Sequence, residues 1–188
     1  QYYSGIIQKN RPLAKTMVDF GCGTGKHDVY FAEKGFEVSG VDLSQGMIDK
    51  AVAGKSGITF QQGDIRSIQL DQKFDVAVAL FGVMTYITDN DDLIKNFTNV
   101  IKHLHPKGLF VFDFWYGAGV LSDKPKVAIK REKNQKYSIV RMVEPTLISN
   151  DNRVEIRSTF HVFDKEKRLI DIVYDVYSAR YFFIPEIK

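Results

Sequence analysis

The first 114 residues alternate short apolar runs with amphipathic segments. Apolar runs that end in glycine or polar turns predict buried strands, and apolar residues at helical spacing predict helices. The predicted strands are Thr16–Phe20, Phe36–Val41, Ile58–Gln61, Phe74–Leu80 and Leu109–Phe114. The predicted helices are Lys26–Lys34, a segment from its Ser44 cap through Ala53 to Gly54, and a segment that starts near Asp89. This alternation predicts an α/β fold with a parallel sheet covered on both faces.

The second half of the chain follows a different pattern from about Trp115 onward. Apolar and polar residues alternate every two positions, which is typical of strands in an antiparallel sheet. These strands are predicted at Val127–Arg131, Tyr137–Val143, Val154–Phe163 and Leu169–Phe183. Such a sheet cannot extend a parallel one, so residues 115–183 are predicted to form an inserted lid over the carboxyl edge of the first sheet. Residues 184–188 contain Pro185, which favours a helix start, and are interpreted as the beginning of a truncated C-terminal helix.

Composition narrows the class of protein. The 188 residues are 44% hydrophobic and 26% charged, enough for one well-buried core. A net charge of +3 is too small to indicate a nucleic-acid partner. The single Cys22 excludes an internal disulfide, and its spacing from the four histidines predicts no metal site. The absence of an apolar run of about 18 residues and of a signal peptide predicts a cytoplasmic protein without a membrane partner, either a monomer or a homodimer.

A glycine-rich loop follows the first predicted strand. Glycines at positions 21, 23 and 25 allow a tight turn and let a ligand approach the backbone, while the helix start behind them favours negative charge. An NAD fingerprint would require glycine at position 26, where Lys26 stands. A P-loop would require Ser or Thr after Lys26, where His27 stands. The loop therefore predicts a nucleotide-like ligand and disfavours both of those sites.

The pattern Asp19-x-Gly21-x-Gly23-x-Gly25 resembles the first motif of the class I S-adenosylmethionine-dependent methyltransferases. Four further segments resemble later motifs of that family, in order: Val38–Ser44, Gly63–Arg66, Phe74–Gly82 and Leu104–Phe112. The resemblance implies a Rossmann-like, doubly wound sheet over residues 1–114, S-adenosylmethionine as cofactor and methyl transfer as the reaction. The family sheet usually has seven strands, so this chain is expected to lack the C-terminal strands. It begins at Gln1 and not at a methionine, so the native N-terminus is also expected to be missing.

The resemblance also implies which residues bind the cofactor. The glycine loop would hold the methionine portion above Asp19, Asp42 would accept the ribose hydroxyls, and Asp64 would accept the adenine amino group. Met47 and Phe81 would pack on the adenine, while Cys22 is also expected to be a small packing residue. The full predicted set is Asp19, Gly21, Cys22, Gly23, Gly25, Asp42, Leu43, Met47, Asp64, Ile65 and Phe81.

A narrower resemblance concerns the acceptor. Asp113–Tyr116 and Ser178–Arg180 resemble segments of small-molecule N-methyltransferases that act on nucleotide-linked amino sugars. Trp115, Tyr116 and Arg180 are therefore candidate substrate residues, although Arg180 could instead pair with Asp175 or Glu186. Tyr86, Asp113 or a water molecule could take the proton from the acceptor, which is an amine or a hydroxyl.

Two alternatives complete the sequence-based hypotheses. A catalytically silent S-adenosylmethionine-binding or scaffolding module would carry the same cofactor motifs. An NAD-dependent reductase would need a Tyr-x-x-x-Lys pair, but Tyr86 is followed by Asn90 and Tyr137 by Arg141. His27 and His103 are expected to be structural or simply exposed.

Overall fold

A computed structural model of the chain describes residues 2–53 and 57–187. The predicted helix end at Gly54 and the chain ends at Gln1 and Lys188 lie outside the described residues. The chain forms two units, of which the first ends at Phe114 and the second begins at Trp115.

The first unit is built on a five-stranded parallel sheet. Its strands are β1 (Thr16–Phe20), β2 (Glu37–Asp42), β3 (Thr59–Gln62), β4 (Phe74–Ala79) and β5 (Leu104–Phe112). Its helices are α1 (Tyr2–Asn10), α2 (Lys26–Glu33), α3 (Gln45–Val52) and α4 (Asn90–Lys102), with a 3-10 turn at Val83–Tyr86. The strand order is β3-β2-β1-β4-β5, which confirms the predicted parallel α/β sheet.

Local sequence explains where these elements begin and end. The Ser44 hydroxyl accepts the Met47 amide at 3.4 Å, so the predicted N-cap is present, and Asp89, where a helix was predicted to start, caps α4 by accepting the Asp91 amide at 2.8 Å. Gly35, with φ 90°, follows the end of α2 and donates its amide to the Ala32 carbonyl. In β1 and β4 the strand interiors are buried, as a sheet covered on both faces requires.

The strand order places a topological switch point beside β1. Strands β2 and β3 lie on one side of β1, while β4 and β5 lie on the other. The connections leaving the carboxyl ends of β1 and β4 therefore diverge and open a crevice between them. Ligands of open parallel sheets bind in this crevice.

The predicted start of the fifth strand at Leu109 is wrong. Leu104 already pairs with Phe74, while Leu109 pairs with Val76, so residues 105–108 form an irregularity inside the strand. Pro106 has no amide to donate to a ladder, and the Pro-Lys-Gly sequence gave the signal of a turn rather than of a strand. The strand also ends two residues earlier than predicted, at Phe112.

The second unit contains a five-stranded mixed sheet in the order β6-β10-β9-β8-β7. Its elements are β6 (Trp115–Tyr116), α5 (Gly117–Ser122), β7 (Ala128–Lys133), β8 (Ser138–Ile148), β9 (Arg153–Phe163), β10 (Leu169–Phe182) and α6 (Ile184–Ile187). Strands β7 to β10 pair antiparallel as predicted, but β6 runs parallel to the end of β10, so the purely antiparallel prediction is wrong there. A two-residue strand is too short to carry a periodic signal. The placement of residues 115–183 as a lid stays a prediction.

Candidate functional site

A pocket of about 560 Å³ opens at the carboxyl ends of the first four strands. Its wall is formed by the loop after β1, the end of β2 with the start of α3, the loop after β3 and the turn after β4. It therefore occupies the crevice at the switch point. All predicted cofactor-binding residues line it except Gly25, which caps the N-terminus of α2.

The glycine loop needs glycine at Gly21 for two reasons. Its φ of 81° lies in the left-handed region, and a Cβ there would overlap the side chain of Val83. The next glycine, Gly23, has φ 54° but lies in open space and donates its amide to Asp42. The loop thus packs tightly against the turn after β4 at one glycine and borders the open pocket at the other.

Asp42, the last residue of β2, joins two parts of the pocket. Its carboxylate accepts the Gly23 amide at 2.8 Å through one oxygen and the Ser44 amide at 2.9 Å through the other. A carboxylate has about four lone-pair positions, so each oxygen keeps capacity for a further donor. Asp42 therefore braces the loop as a turn acid would and can still accept two hydroxyl groups from a ligand.

Asp19 is a buried carboxylate in the pocket wall. Its residue surface is 3% exposed, and within the described residues its Oδ1 has no hydrogen-bond partner. Burial, followed by the nearby charges of Asp28 and Asp42, raises the pKa of Asp19 well above its usual value of 3.8. An unsatisfied buried carboxylate surrounded by other acids favours a cationic group on the ligand.

The Asp64 carboxylate is hydrogen-bonded to Arg66, a residue that the sequence analysis did not assign to the site. Arg66 donates through Nε at 2.9 and 3.0 Å and through Nη2 at 2.5 Å, and its amide adds a fourth bond at 2.9 Å. These hydrogen bonds to Arg66 lower the pKa of Asp64. Arg66 also pairs with Asp92 at the start of α4, and it lines the pocket. The adenine contact predicted for Asp64 would have to share the carboxylate with this guanidinium.

Large apolar side chains stand exposed around the pocket. Leu43 is 66%, Met47 39% and Phe81 64% exposed, and Ile65 lines the same space. Surface leucine, methionine and phenylalanine are unremarkable singly, but a group of them around one concave space marks a binding site for a ligand with an apolar face.

The turn after β4, at Phe81 and Gly82, brings together three residues from distant parts of the first unit. Asp113 accepts the Tyr3 hydroxyl at 2.7 Å and the amides of Phe81 and Gly82 at 2.7 and 2.6 Å. The Phe81 ring stacks on His27, with ring centres 4.2 Å apart and planes 18° apart. His27 and Phe81 both line the pocket. Partial burial and then the charge of Lys26 lower the pKa of His27, which favours the neutral ring.

The remaining predicted site residues are divided between the units. Tyr86 lines the pocket. Trp115, Tyr116 and Arg180 belong to the second unit, where Trp115 packs against its core. Arg180 pairs with Glu186 at 2.9 Å and lies over the Phe182 ring at 4.7 Å, so the pairing alternative raised from sequence is present.

Other histidines and acids lie outside the pocket. His103 is buried: its Nε2 accepts the Leu70 amide at 3.0 Å while Nδ1 donates to the Asn99 carbonyl at 2.8 Å.

Across residues 2–53 and 57–187, no group of three or more His, Cys, Asp or Glu side chains is arranged to hold a metal ion. In the same part of the chain, none of the helices has the length and apolar character needed to cross a membrane.

Tyr3, His27 and Arg66 are the residues that sequence reasoning missed. Arg66 stands in the quoted Gly63–Arg66 motif, and His27 directly follows the glycine loop, so position offered a signal for both. Their partners, Asp92 and Phe81, are 26 and 54 positions away, and such pairs follow only from the fold. Tyr3 gave no signal before its contact with Asp113 was seen.

Comparison with known proteins relates this geometry to a family. A family model described as a methyltransferase domain matches residues 17–108. The chain is 25% identical over 154 residues to dTDP-3-amino-3,4,6-trideoxy-alpha-D-glucopyranose N,N-dimethyltransferase of Streptomyces venezuelae, covering 82% of this chain and 65% of the relative. It is 32% identical over 111 residues to dTDP-4-amino-2,3,4,6-tetradeoxy-D-glucose N,N-dimethyltransferase of Saccharopolyspora spinosa, covering 59% of this chain and 45% of the relative.

A solved structure shares the fold over nearly the whole chain. The sugar N-methyltransferase KedS8 from a Streptoalloteichus species superposes with a TM-score of 0.88 at 22% identity, covering 98% of this chain and 73% of that protein. At this identity the likeness concerns the fold. The matches to the two curated relatives span 45% and 65% of their lengths.

Proposed function

We propose that this chain, whose residues 17–108 match a methyltransferase domain, is an S-adenosylmethionine-dependent methyltransferase of class I and methylates an amine of a small molecule. Nucleotide-linked amino sugars are the leading class of acceptor, because the two curated relatives are named for such substrates. A hydroxyl acceptor is the second possibility within the same chemistry.

This proposal rests on two carboxylates that line one pocket. Within the described residues, Asp19 Oδ1 has no hydrogen-bond partner, and each oxygen of Asp42 can accept one further donor. The Asp19 carboxylate suits the ammonium group of the methionine portion, and the free capacity of Asp42 suits vicinal ribose hydroxyls. The exposed Leu43 and Met47 suit the flat adenine. A volume of about 560 Å³ lies in the usual range for small-molecule sites. The residues present therefore fit S-adenosylmethionine.

The chain's own part in the reaction is orientation and exclusion of water. When bound, S-adenosylmethionine supplies a methyl carbon that accepts the lone pair of the acceptor while the carbon–sulfur electron pair stays on sulfur. Holding the acceptor nitrogen in line with the methyl–sulfur bond accelerates the reaction through proximity and orientation. The acceptor nitrogen must also lose a proton, and Tyr86, at the pocket wall, is our candidate to relay it: the phenol oxygen takes the proton of the acceptor while its own hydroxyl proton passes to a water molecule.

Contacts to the acceptor are proposed for Trp115, Tyr116 and Arg180. The planar guanidinium of Arg180 suits a phosphate or carboxylate, but Glu186 competes for it at 2.9 Å. An acceptor phosphate would therefore have to displace or share that carboxylate.

Calorimetric titration with S-adenosylmethionine tests the cofactor. We expect micromolar binding by the wild-type chain, no binding of NADH, and at least a tenfold weaker affinity in Asp42→Ala, because the loop brace and the hydroxyl acceptors are lost together. Asp49→Ala is the matched control, since Asp49 is an exposed acid on α3 that does not line the pocket. A folded wild-type chain that binds no S-adenosylmethionine would overturn the proposal.

Turnover is measured separately, as S-adenosylhomocysteine formed with dTDP-linked amino sugars and with their hydroxyl counterparts. Methylation of the amino sugars alone supports the N-directed proposal. Tight cofactor binding without turnover on any acceptor of the panel would instead favour the silent cofactor-binding module.

A further inference from the structure

The turn after β4 holds two consecutive residues in the left-handed region. Phe81 has φ 63° and Gly82 has φ 84°. Glycine adopts this conformation freely, whereas a residue with a side chain pays a conformational penalty there. Strained positions of this kind persist when surrounding contacts over-determine them, and they concentrate at functional sites. Phe81 must therefore be held by its neighbours.

Asp113 supplies the hold. Its Oδ2 accepts the Phe81 amide and the Tyr3 hydroxyl, both at 2.7 Å, and its Oδ1 accepts the Gly82 amide at 2.6 Å. The Asp113 amide in turn donates to the Ala79 carbonyl at 3.3 Å, which fixes the acid beside the end of β4. Three of about four lone-pair positions are thus taken by donors of the protein itself.

Tyr3 completes this arrangement from α1. Its ring meets the Phe81 ring edge-on, with centres 6.1 Å apart and planes 75° apart. Burial, then the hydrogen bond and the charge of Asp113, raise the pKa of Tyr3 to about 12, so the phenol stays a proton donor at neutral pH. The Phe81 amide is consequently hydrogen-bonded to Asp113, and the Phe81 ring contacts the rings of Tyr3 and His27.

We infer that Tyr3 and Asp113 are positioning residues that hold the Phe81 ring against His27 as one wall of the pocket, and that Asp113 does not take the acceptor's proton. The inference rests on the proposed function only for the identity of the ligand that this wall contacts. It changes the sequence-based prediction for Asp113, whose carboxylate supports the backbone of the turn instead of facing the reacting atoms.

A comparison of single and double variants tests, without any ligand, whether Asp113 holds Phe81 in place. We expect Asp113→Asn to lower the melting temperature by several degrees, because an amide cannot accept all three donors. Phe81→Gly lacks the ring that Asp113 holds against Tyr3 and His27, so adding Asp113→Asn to it costs no ring contact and should produce a clearly smaller drop. Equal drops in both backgrounds would overturn the inference. Asp123→Asn, at an exposed acid in the second unit, controls for a general effect of the substitution.

Binding and rate measurements separate positioning from proton transfer. In titrations with S-adenosylhomocysteine, Asp113→Asn should weaken affinity about tenfold, and Tyr3→Phe, which removes one hydroxyl, should weaken it less. In both variants the pH profile of kcat should keep its shape. Wild-type affinity in Asp113→Asn, or loss in that variant of the acidic limb, the fall of kcat at low pH that a general base produces, would overturn the inference. If the wild-type chain binds neither cofactor form, the proposed function fails, while the comparison of single and double variants still decides the role of Asp113.

Discussion

Gly21, in the pocket wall, cannot carry a side chain for both a conformational and a steric reason. Its left-handed φ and its contact with Val83 both exclude a side chain, whereas Gly23 shares the conformation but faces open space. The two positions therefore separate the steric contribution from the conformational one.

We expect Gly21→Ala to lower the free energy of unfolding by about 2–4 kcal/mol, from the left-handed penalty plus the overlap with Val83. Gly23→Ala should cost only about 1–2 kcal/mol. Urea denaturation measures both. Adding Val83→Ala to Gly21→Ala should recover the steric part, and equal costs at the two glycines would contradict this account.

Asp19 makes a pH-dependent contribution with a defined sign. Because its pKa is raised in the folded chain, the folded state holds the proton more tightly than the unfolded state. This contribution to stability is fully present below the usual value of 3.8 and is lost as pH rises toward the folded value. Asp19→Asn removes the titration.

Without ligand, Asp19→Asn should therefore be more stable than the wild type at pH 8, with the difference vanishing near pH 4, in urea denaturation. The same variant should bind S-adenosylmethionine more weakly, because the ammonium loses its carboxylate. Asp49→Asn, on the exposed face of α3, should show neither effect. A variant less stable than wild type at pH 8 would contradict the burial argument.

At the scale of single residues, the sequence indicated which acids lie at the strand ends that border the pocket. Asp42 follows a buried strand and precedes a helix cap, so its place at the sheet edge follows from local pattern. The engagement of Asp64 by Arg66 and of Asp113 by Tyr3 did not follow, because hydrogen-bond partners depend on side-chain directions in the folded chain.

The buried side chains of Asn99 and His103 connect α4 to the loop before β4. His103, its C-terminal cap residue, bridges the Leu70 amide and the Asn99 carbonyl. Without the imidazole, the buried Asn99 carbonyl and the partly buried Leu70 amide would each lose a partner.

His103→Ala should therefore lower the free energy of unfolding by roughly 1–3 kcal/mol, seen as a lower melting temperature. His105→Ala is the matched control two residues away, at an exposed position, and should stay within about 0.5 kcal/mol of wild type. Similar losses in both variants would show that the bridge contributes little.

Elements with strong periodicity or clear caps were predictable, and short or irregular ones were not. The caps at Ser44 and Asp89 and the strands β1 and β4 follow from local sequence. The two-residue β6 exists because β10 supplies its hydrogen-bond partners, and β5 begins at Leu104, before the interruption at residues 105–108, because Leu104 pairs with Phe74 of β4. Such pairing is a property of the sheet and leaves no local pattern.

For the molecule as a whole, the pocket is lined by residues of the first unit. Saturating ligand at a hundred times its dissociation constant adds about 2.7 kcal/mol to the stability of the state that binds it. That stabilisation should be detected first in the segments that form the pocket.

Hydrogen exchange with and without S-adenosylmethionine measures this. We expect slower exchange at residues 20–26, 41–48 and 80–87, and β8, which contributes none of the described lining residues, serves as the internal reference. Asp42→Ala should abolish the difference. Slowing confined to β8 and its neighbours would place the ligand elsewhere.

The sequence by itself determined the alternation of strands and helices, the glycine loop after β1 and the acids at or just beyond the ends of β1 to β3, because these depend on local periodicity and turn chemistry. Tertiary structure decided what those residues contact. Among residues 2–53 and 57–187 it left Asp19 without a hydrogen-bond partner at Oδ1, paired Asp64 with Arg66, and placed the Asp113 carboxylate on the amides of the left-handed turn at Phe81. These outcomes depend on which side chains meet across the sheet, and that meeting exists only once distant segments have packed.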